Sequence, residues 1–403
     1  MSERIVITGA GVISPIAAGV ADFEKALYAG ASGVGPSPLL GDGVVAAEVQ
    51  NFVPQQWLGN KGIRVLDRTA RLLSVAAQMA LCGASLARRE PAECDSELGL
   101  VCGTMFGSLH SIVSFDWSGL EDGPNLVNPM DFPNTVINSA AGQAAIRFKL
   151  GGVNSTICAG LASGLYALHY AAEFLRLGRA RMLLAGGMEE LSAEALVGFR
   201  KNGITSPSGV PRPFGAERDG VTLGEGAVLL VMESEKTASA RGAEPWAEIA
   251  GVGCAQDAHS AHSYDLRAEG AASAIEMALE SAGIGADQVA CIIAAASGSR
   301  AADEMEARAL QKVFGARLAQ IPVCAPKTAL GESLGAAGAF GALIAALALR
   351  NQCVPPTSGF AGETIGGIRL ANRSQAIKGE VALVYAFSCD GNNAALVLRR
   401  WSG

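Results

Sequence analysis

A strand, a sharp glycine-bounded turn and a helix follow one another between residues 153 and 175, and no other stretch restricts the possible folds as strongly. Val153-Asn154-Ser155-Thr156-Ile157-Cys158 is rich in β-branched residues and predicts a buried strand. Ala159-Gly160-Leu161-Ala162-Ser163-Gly164 is the turn, and the next eleven residues, Leu165 to Leu175, are apolar at helical spacing. A second strand, 179–189, carries Gly186-Gly187 near its end, which reads as a tight turn. An elbow of this kind exposes its apex and lowers the pKa of a nucleophile placed there, because free helix-end N–H groups favour the anion. The apex here is the aliphatic Leu161. The elbow is built, and its nucleophile is missing.

The segment resembles the active-site elbow of β-ketoacyl-ACP synthases, where a Cys two residues before Ser-Gly accepts the acyl chain. Laying Ser163-Gly164 on that Ser-Gly puts Leu161 at the Cys position. The resemblance extends over nearly the whole chain. It includes Arg4-Ile5-Val6-Ile7-Thr8-Gly9-Ala10-Gly11 at the start, Leu66-Asp67-Arg68-Thr69-Ala70-Arg71 before a helix, and Asn128-Pro129-Met130-Asp131-Phe132-Pro133. It continues through Arg212-Pro213-Phe214, Leu223-Gly224-Glu225-Gly226-Ala227, Pro326-Lys327-Thr328, Val354-Pro355-Pro356-Thr357 and Gly391-Asn392-Asn393.

The departures are as consistent as the matches. Where the family carries a His-Gly-Thr-x-Thr motif, this chain reads Ala295-Ala296-Ser297-Gly298-Ser299-Arg300, with no His. The family's second His follows the motif Lys by five residues; Lys327 is kept and Glu332 takes the His position. The Phe-Gly-Phe-Gly-Gly loop has become Phe387-Ser388-Cys389-Asp390-Gly391. Losing the nucleophile and both histidines together resembles chain-length factors, the nucleophile-free partners of ketosynthases in type II polyketide synthases. Condensation needs a thiolate to hold the acyl chain and imidazoles to stabilise the developing enolate. Leu161 forms no thioester, and an ionised Glu332 repels an enolate.

Blander readings stand beside these. Cys158 reads as a small hydrophobe inside the sheet rather than a displaced nucleophile. His169, on the helix after the turn, reads as a packed or interface residue. His259 and His262 form an HxxH with no third ligand at metal spacing, so a polar loop is expected and no metal. Lys327 pairs with Glu332 in an exposed or half-buried ion pair without catalytic use. The N-terminal Gly9-Ala10-Gly11 follows a strand as in a dinucleotide fingerprint, but Ser14 replaces the third Gly and no acidic strand end follows.

Half of the 403 residues are hydrophobic and only 17% are charged. A large core follows, and so does an extensive apolar interface between subunits. Nine scattered Cys without a CxxC pair point to a reducing, cytoplasmic setting. The apolar stretch 5–20 is broken by Gly and Pro and reads as neither signal peptide nor membrane span. A net charge of −7 without a basic block argues against nucleic acid.

A second strand–turn–helix recurs at 321–349, where a glycine-rich turn at 328–338 opens an apolar helix over 339–349. The polar segment 236–244, leading into a strand over 245–252, places a boundary between halves 1–243 and 244–403. Alternating strands and helices predict an α/β fold, and the resemblance implies the five-layered thiolase arrangement of two similar halves. It further implies a chain-length factor, paired as a heterodimer with an active ketosynthase, with acyl carrier protein acting mainly through that partner. No cofactor and no membrane enter. Phe106, Leu109 and Val113, spaced i, i+3 and i+7, would line the acyl tunnel from one helix face, or else are ordinary core residues. Two alternatives remain: a malonyl-ACP decarboxylase, whose mark would be retained histidines, and a non-catalytic acyl-binding homodimer.

Overall fold

In the computed structural model, residues 3–86, 94–360 and 362–402 are described. The first half supplies β1 (Ile5–Ile13), β2 (Leu98–Gly103), β3 (Asn154–Ile157), β4 (Met182–Glu189) and β5 (Gly226–Ser234). They stand in the order β1-β5-β4-β2-β3, antiparallel from β1 to β4 and parallel from β4 to β3. The second half supplies β6 (Ala247–Gln256), β7 (Cys291–Ile293), β8 (Val323–Cys324), β9 (Val381–Phe387) and β10 (Asn392–Arg400). Their order, β6-β10-β9-β7-β8, repeats the same sequence of antiparallel and parallel pairings. The halves join where β1 pairs with β6 through Val6–Glu248 and Ile7–Ala247.

Helices complete five layers. α1 (Arg68–Gly83), α2 (Leu109–Glu121), α3 (Ser139–Phe148), α4 (Ser163–Arg176) and α5 (Ala193–Lys201) belong to the first half. α6 (Glu269–Ala282), α7 (Arg300–Phe314) and α8 (Ala337–Asn351) belong to the second. α1 and α3 cover the outer face of the first sheet, and α6 and α7 cover that of the second; α4 and α8 pack together between them. α8 is apolar on every side because sheet or helix surrounds it. The stretch Leu334–Asn351 is long and apolar enough to cross a membrane, yet 83% of it is buried in this core.

Local chemistry explains several elements. Asp67 caps α1, accepting from the Ala70 N–H at 2.9 Å, and Ser192 caps α5, accepting from the Ala195 N–H at 3.1 Å. Elsewhere the structure corrects the sequence reading. The β-branched run at 153–158 is not a buried strand: among the described residues β3 is the edge strand, paired only with β2, and it is half-exposed. β-branched residues suit any pleated surface, and only the order of strands decides how many sides are covered. Gly186 and Gly187 make no turn; both lie in β4, opposite Leu229 and Val228 of β5. Gly187 is small because the second half's backbone presses on it, and a Cβ there would stand 2.7 Å from the Gly335 carbonyl oxygen. β1 continues through Gly9 and Gly11, with a register shift between Ile7 and Gly9, so these glycines open no phosphate-binding loop.

Candidate active site

The elbow sits where β3 feeds α4 between the two sheets. Gly160 adopts φ 56°, a left-handed conformation that glycine accepts without strain. Buried Ser163 locks the turn, its hydroxyl donating to the Gly160 carbonyl at 2.6 Å and accepting from the Ala159 N–H at 2.9 Å. At the apex, the Leu161 N–H donates to the Ser388 hydroxyl at 3.2 Å. The Leu161 side chain packs with Met105, Phe106 and Phe199 against an apolar cluster that includes Leu196, Leu223 and Leu334. It also borders a small cavity with Lys327, Ser333, Phe340 and Phe387. That cavity is about 20 Å³, room for a single water. No thiol stands at the apex, and there is little space for an acyl group beside it.

The polar groups around it are spoken for. Lys327 Nζ lies 2.6 Å from Glu332 Oε2, and the Leu334 N–H donates to Oε1 at 3.1 Å. The pair is buried, not exposed or half-buried as the sequence suggested, with side chains 9% and 3% exposed. Both Glu332 oxygens therefore act as acceptors in the place of an imidazole. The loop that carries a His in the resembling enzymes is tied down by acids. Asp303 accepts from the Phe214, Ser297 and Gly298 N–H groups, and Glu306 accepts from Ala295 N–H at 3.1 Å. Burial pushes Asp303 up to about 6 and, with the neighbouring Asp303 charge, pushes Glu306 up to about 8. Glu306 thus holds its proton to a higher pH than an ordinary carboxylate.

Phe106, Leu109 and Val113 do not share a helix face. Phe106 lies in the bend before α2, because Glu189 holds that bend. The Glu189 carboxylate accepts from Thr104 Oγ1 at 3.0 Å, Met105 N–H at 2.7 Å, Phe106 N–H at 3.0 Å and Gly335 N–H at 3.0 Å. Burial lifts its pKa to about 7 while those donors oppose the rise. The Phe106 ring meets Phe199 edge-on, with centroids 6.5 Å apart. Leu109 and Val113 do lie on α2, but that helix has no fully buried residue. The carboxylate at 189, the hydroxyl at 388 and the ring at 199 escaped the sequence reading. Only Ser388 left a visible sign, as a serine in a glycine position.

Cys158 is not inside the sheet. It is exposed at the end of β3, its thiol donating to the Met105 carbonyl at 3.3 Å. Partial desolvation and the Glu189 charge push the thiol up, the opposite of an activated nucleophile. His169 Nδ1 lies 3.1 Å from Cys254 Sγ. Desolvation lowers the His169 pKa and lifts Cys254 to about 11, so this is a neutral packed pair. His259 and His262 are exposed, apart from the elbow on the segment between β6 and α6.

Two matching halves with a strand–elbow–helix at their junction define a thiolase-like fold, and the chain belongs to the β-ketoacyl synthase family. Residues 2–238 match the beta-ketoacyl synthase N-terminal domain and residues 246–361 the C-terminal domain. The chain is 33% identical to 3-oxoacyl-[acyl-carrier-protein] synthase 2 of Coxiella burnetii, across 99% of both chains. Among solved structures it is similar to the ishigamide ketosynthase/chain length factor, with a TM-score of 0.92 and 30% identity over the full length of both. It also resembles the AntDE ketosynthase solved with the type II polyketide acyl-carrier protein AntF, with a TM-score of 0.88 and 26% identity over both full lengths.

Proposed function

We infer that this chain is a chain-length factor: a ketosynthase-like subunit without condensing activity that pairs with an active ketosynthase and shapes the acyl tunnel. The observation that carries this reading is the filled elbow. Leu161 stands at the apex, the cavity beside it is only about 20 Å³, and Lys327 and Glu332 neutralise each other next to it. Relatives named as synthases belong to the same family, and the chemistry at the elbow separates this chain from a condensing enzyme. Glu332 accepts on both oxygens and no histidine lines the cavity, so the imidazoles that would mark a decarboxylase are missing there.

An exposed apolar surface supports a partner subunit. Trp117, Leu120, Leu126, Met130 and Phe132 are each more than half exposed. They follow one another along α2 and the segment beyond it, a density unusual for a monomer's surface. The open edge of β3 adds backbone donors and acceptors that a second chain can pair. The partner would hold the growing chain on its own Cys, receiving extender units from acyl carrier protein. Halves 1–243 and 244–403 are the units we assign to the fold, and a cytoplasmic setting fits nine unpaired cysteines.

Co-expression with a Cys-bearing ketosynthase tests this reading. The expected result is a 1:1 complex that is more soluble than this chain alone, and intact mass showing acylation on the partner and none on this subunit. A stable acyl adduct mapped to this chain, or a monodisperse monomer indifferent to the ketosynthase, would refute it.

A further inference from the structure

The backbone amide at the apex of the elbow is already taken. In a nucleophile elbow, apex N–H groups hold the oxygen of an attacked carbonyl as it gathers negative charge. Here the Leu161 N–H donates to the Ser388 hydroxyl at 3.2 Å. Ser388 comes from the other half of the chain and is only 2% exposed. The turn after β9 fixes it: its N–H donates to the Asn392 carbonyl at 2.9 Å, and its carbonyl accepts from the Gly391 N–H at 3.0 Å. The fit is mutual, because a Cβ on Gly160 would stand 2.2 Å from Ser388 Oγ and 2.8 Å from Asp390 Oδ2.

We propose that the Ser388 hydroxyl occupies the oxyanion position of the elbow and seals it against thioester carbonyls, independently of the missing nucleophile. The inference rests on the non-catalytic reading above and divides it into two separate causes. There is no sulfur at position 161, and the Leu161 N–H that would hold an oxygen already donates to a hydroxyl. A restored thiol alone is therefore insufficient. In acylation, the thiolate attacks the thioester carbonyl, a C–S bond forms and an electron pair moves onto oxygen. The tetrahedral intermediate then re-forms C=O and expels the leaving thiolate, which takes a proton from water. Only the intermediate needs the N–H. Alkylation by iodoacetamide displaces iodide at saturated carbon, creates no oxyanion, and reports thiolate content and access alone.

The test compares L161C with L161C/S388A and L161C/S388G, each alone or with its co-purified partner. Intact mass and peptide mapping follow the thiol introduced at position 161 with octanoyl-N-acetylcysteamine and, separately, with iodoacetamide. The expected result is a ratio of acylation to alkylation that rises on the order of 10²-fold in both double variants, the scale of one oxyanion donor. Using two replacements guards against one that misfolds, since Ala keeps the Cβ and Gly does not. A ratio that stays within about threefold of L161C overturns the proposal, that change being too small for a regained oxyanion donor. So does a thiol that iodoacetamide cannot reach in any background, because something other than Ser388 then closes the elbow. Acylation of the parent chain itself would sink the non-catalytic reading while leaving this ratio intact.

Discussion

Glu332→Gln should destabilise the protein by about 3 kcal/mol, the lower end of the cost of breaking a buried ion pair. The amide keeps the shape of the side chain and one acceptor oxygen, but it leaves the Lys327 ammonium, 9% exposed, without its counter-charge. With roughly 2.1 cal/mol/K of unfolding entropy per residue, 403 residues give about 0.85 kcal/mol/K, so Tm should fall by about 3–4 °C. Lys327→Met combined with Glu332→Leu removes both charges, leaves none unpaired, and should recover most of the loss. Urea unfolding of the intact assembly at fixed protein concentration measures both, provided the m-value is unchanged. If Glu332→Gln lies within about 0.5 kcal/mol of the parent, or the double variant is as unstable as the single, the pair is not the structural clamp described here.

Between pH 5 and 8 stability should fall as pH rises. Glu189, raised to about 7, and Glu306, raised to about 8, bind protons in the folded state that the unfolded chain has already released above its ordinary carboxylate range. Glu306→Gln should flatten the upper part of that slope, and an unchanged urea midpoint profile would count against the assignment. Phe106→Ala removes the ring packed on Phe199 and should cost about 2 kcal/mol, given its half-buried position. If Phe106 closes the tunnel, product distribution per intact heterodimer shifts to longer chains, and Leu109→Trp shifts it to shorter ones; unchanged products make both ordinary packing residues. Gly187→Ala places a Cβ 2.7 Å from the Gly335 carbonyl oxygen and should lower stability by about 1–3 kcal/mol, read as a fall in urea midpoint.

The local parts of this protein were legible along the chain. The turn at 159–164, helix α4 behind it and the all-apolar helix α8 follow from glycine conformation and hydrophobic spacing, both properties of neighbouring residues. The emptied apex was legible for the same reason, since Leu161 is a single position in a local motif. The Lys327–Glu332 pairing was legible across five residues, although its burial was not.

What tertiary structure alone decided is everything that depends on which distant segments meet. The order of strands put β3 at the sheet edge, which turned a β-branched run and Cys158 outward instead of inward. Gly186 and Gly187 read as a turn in one dimension because the backbone of the second half, which demands their small size, lies far away in sequence. Phe106 left the helix because Glu189 gathers the bend before it. Ser388 reached the Leu161 amide across 227 positions, a contact that exists only because two similar halves fold back on one another. Hydrophobic periodicity reports which side of an element is buried, and it carries no information about which element does the burying.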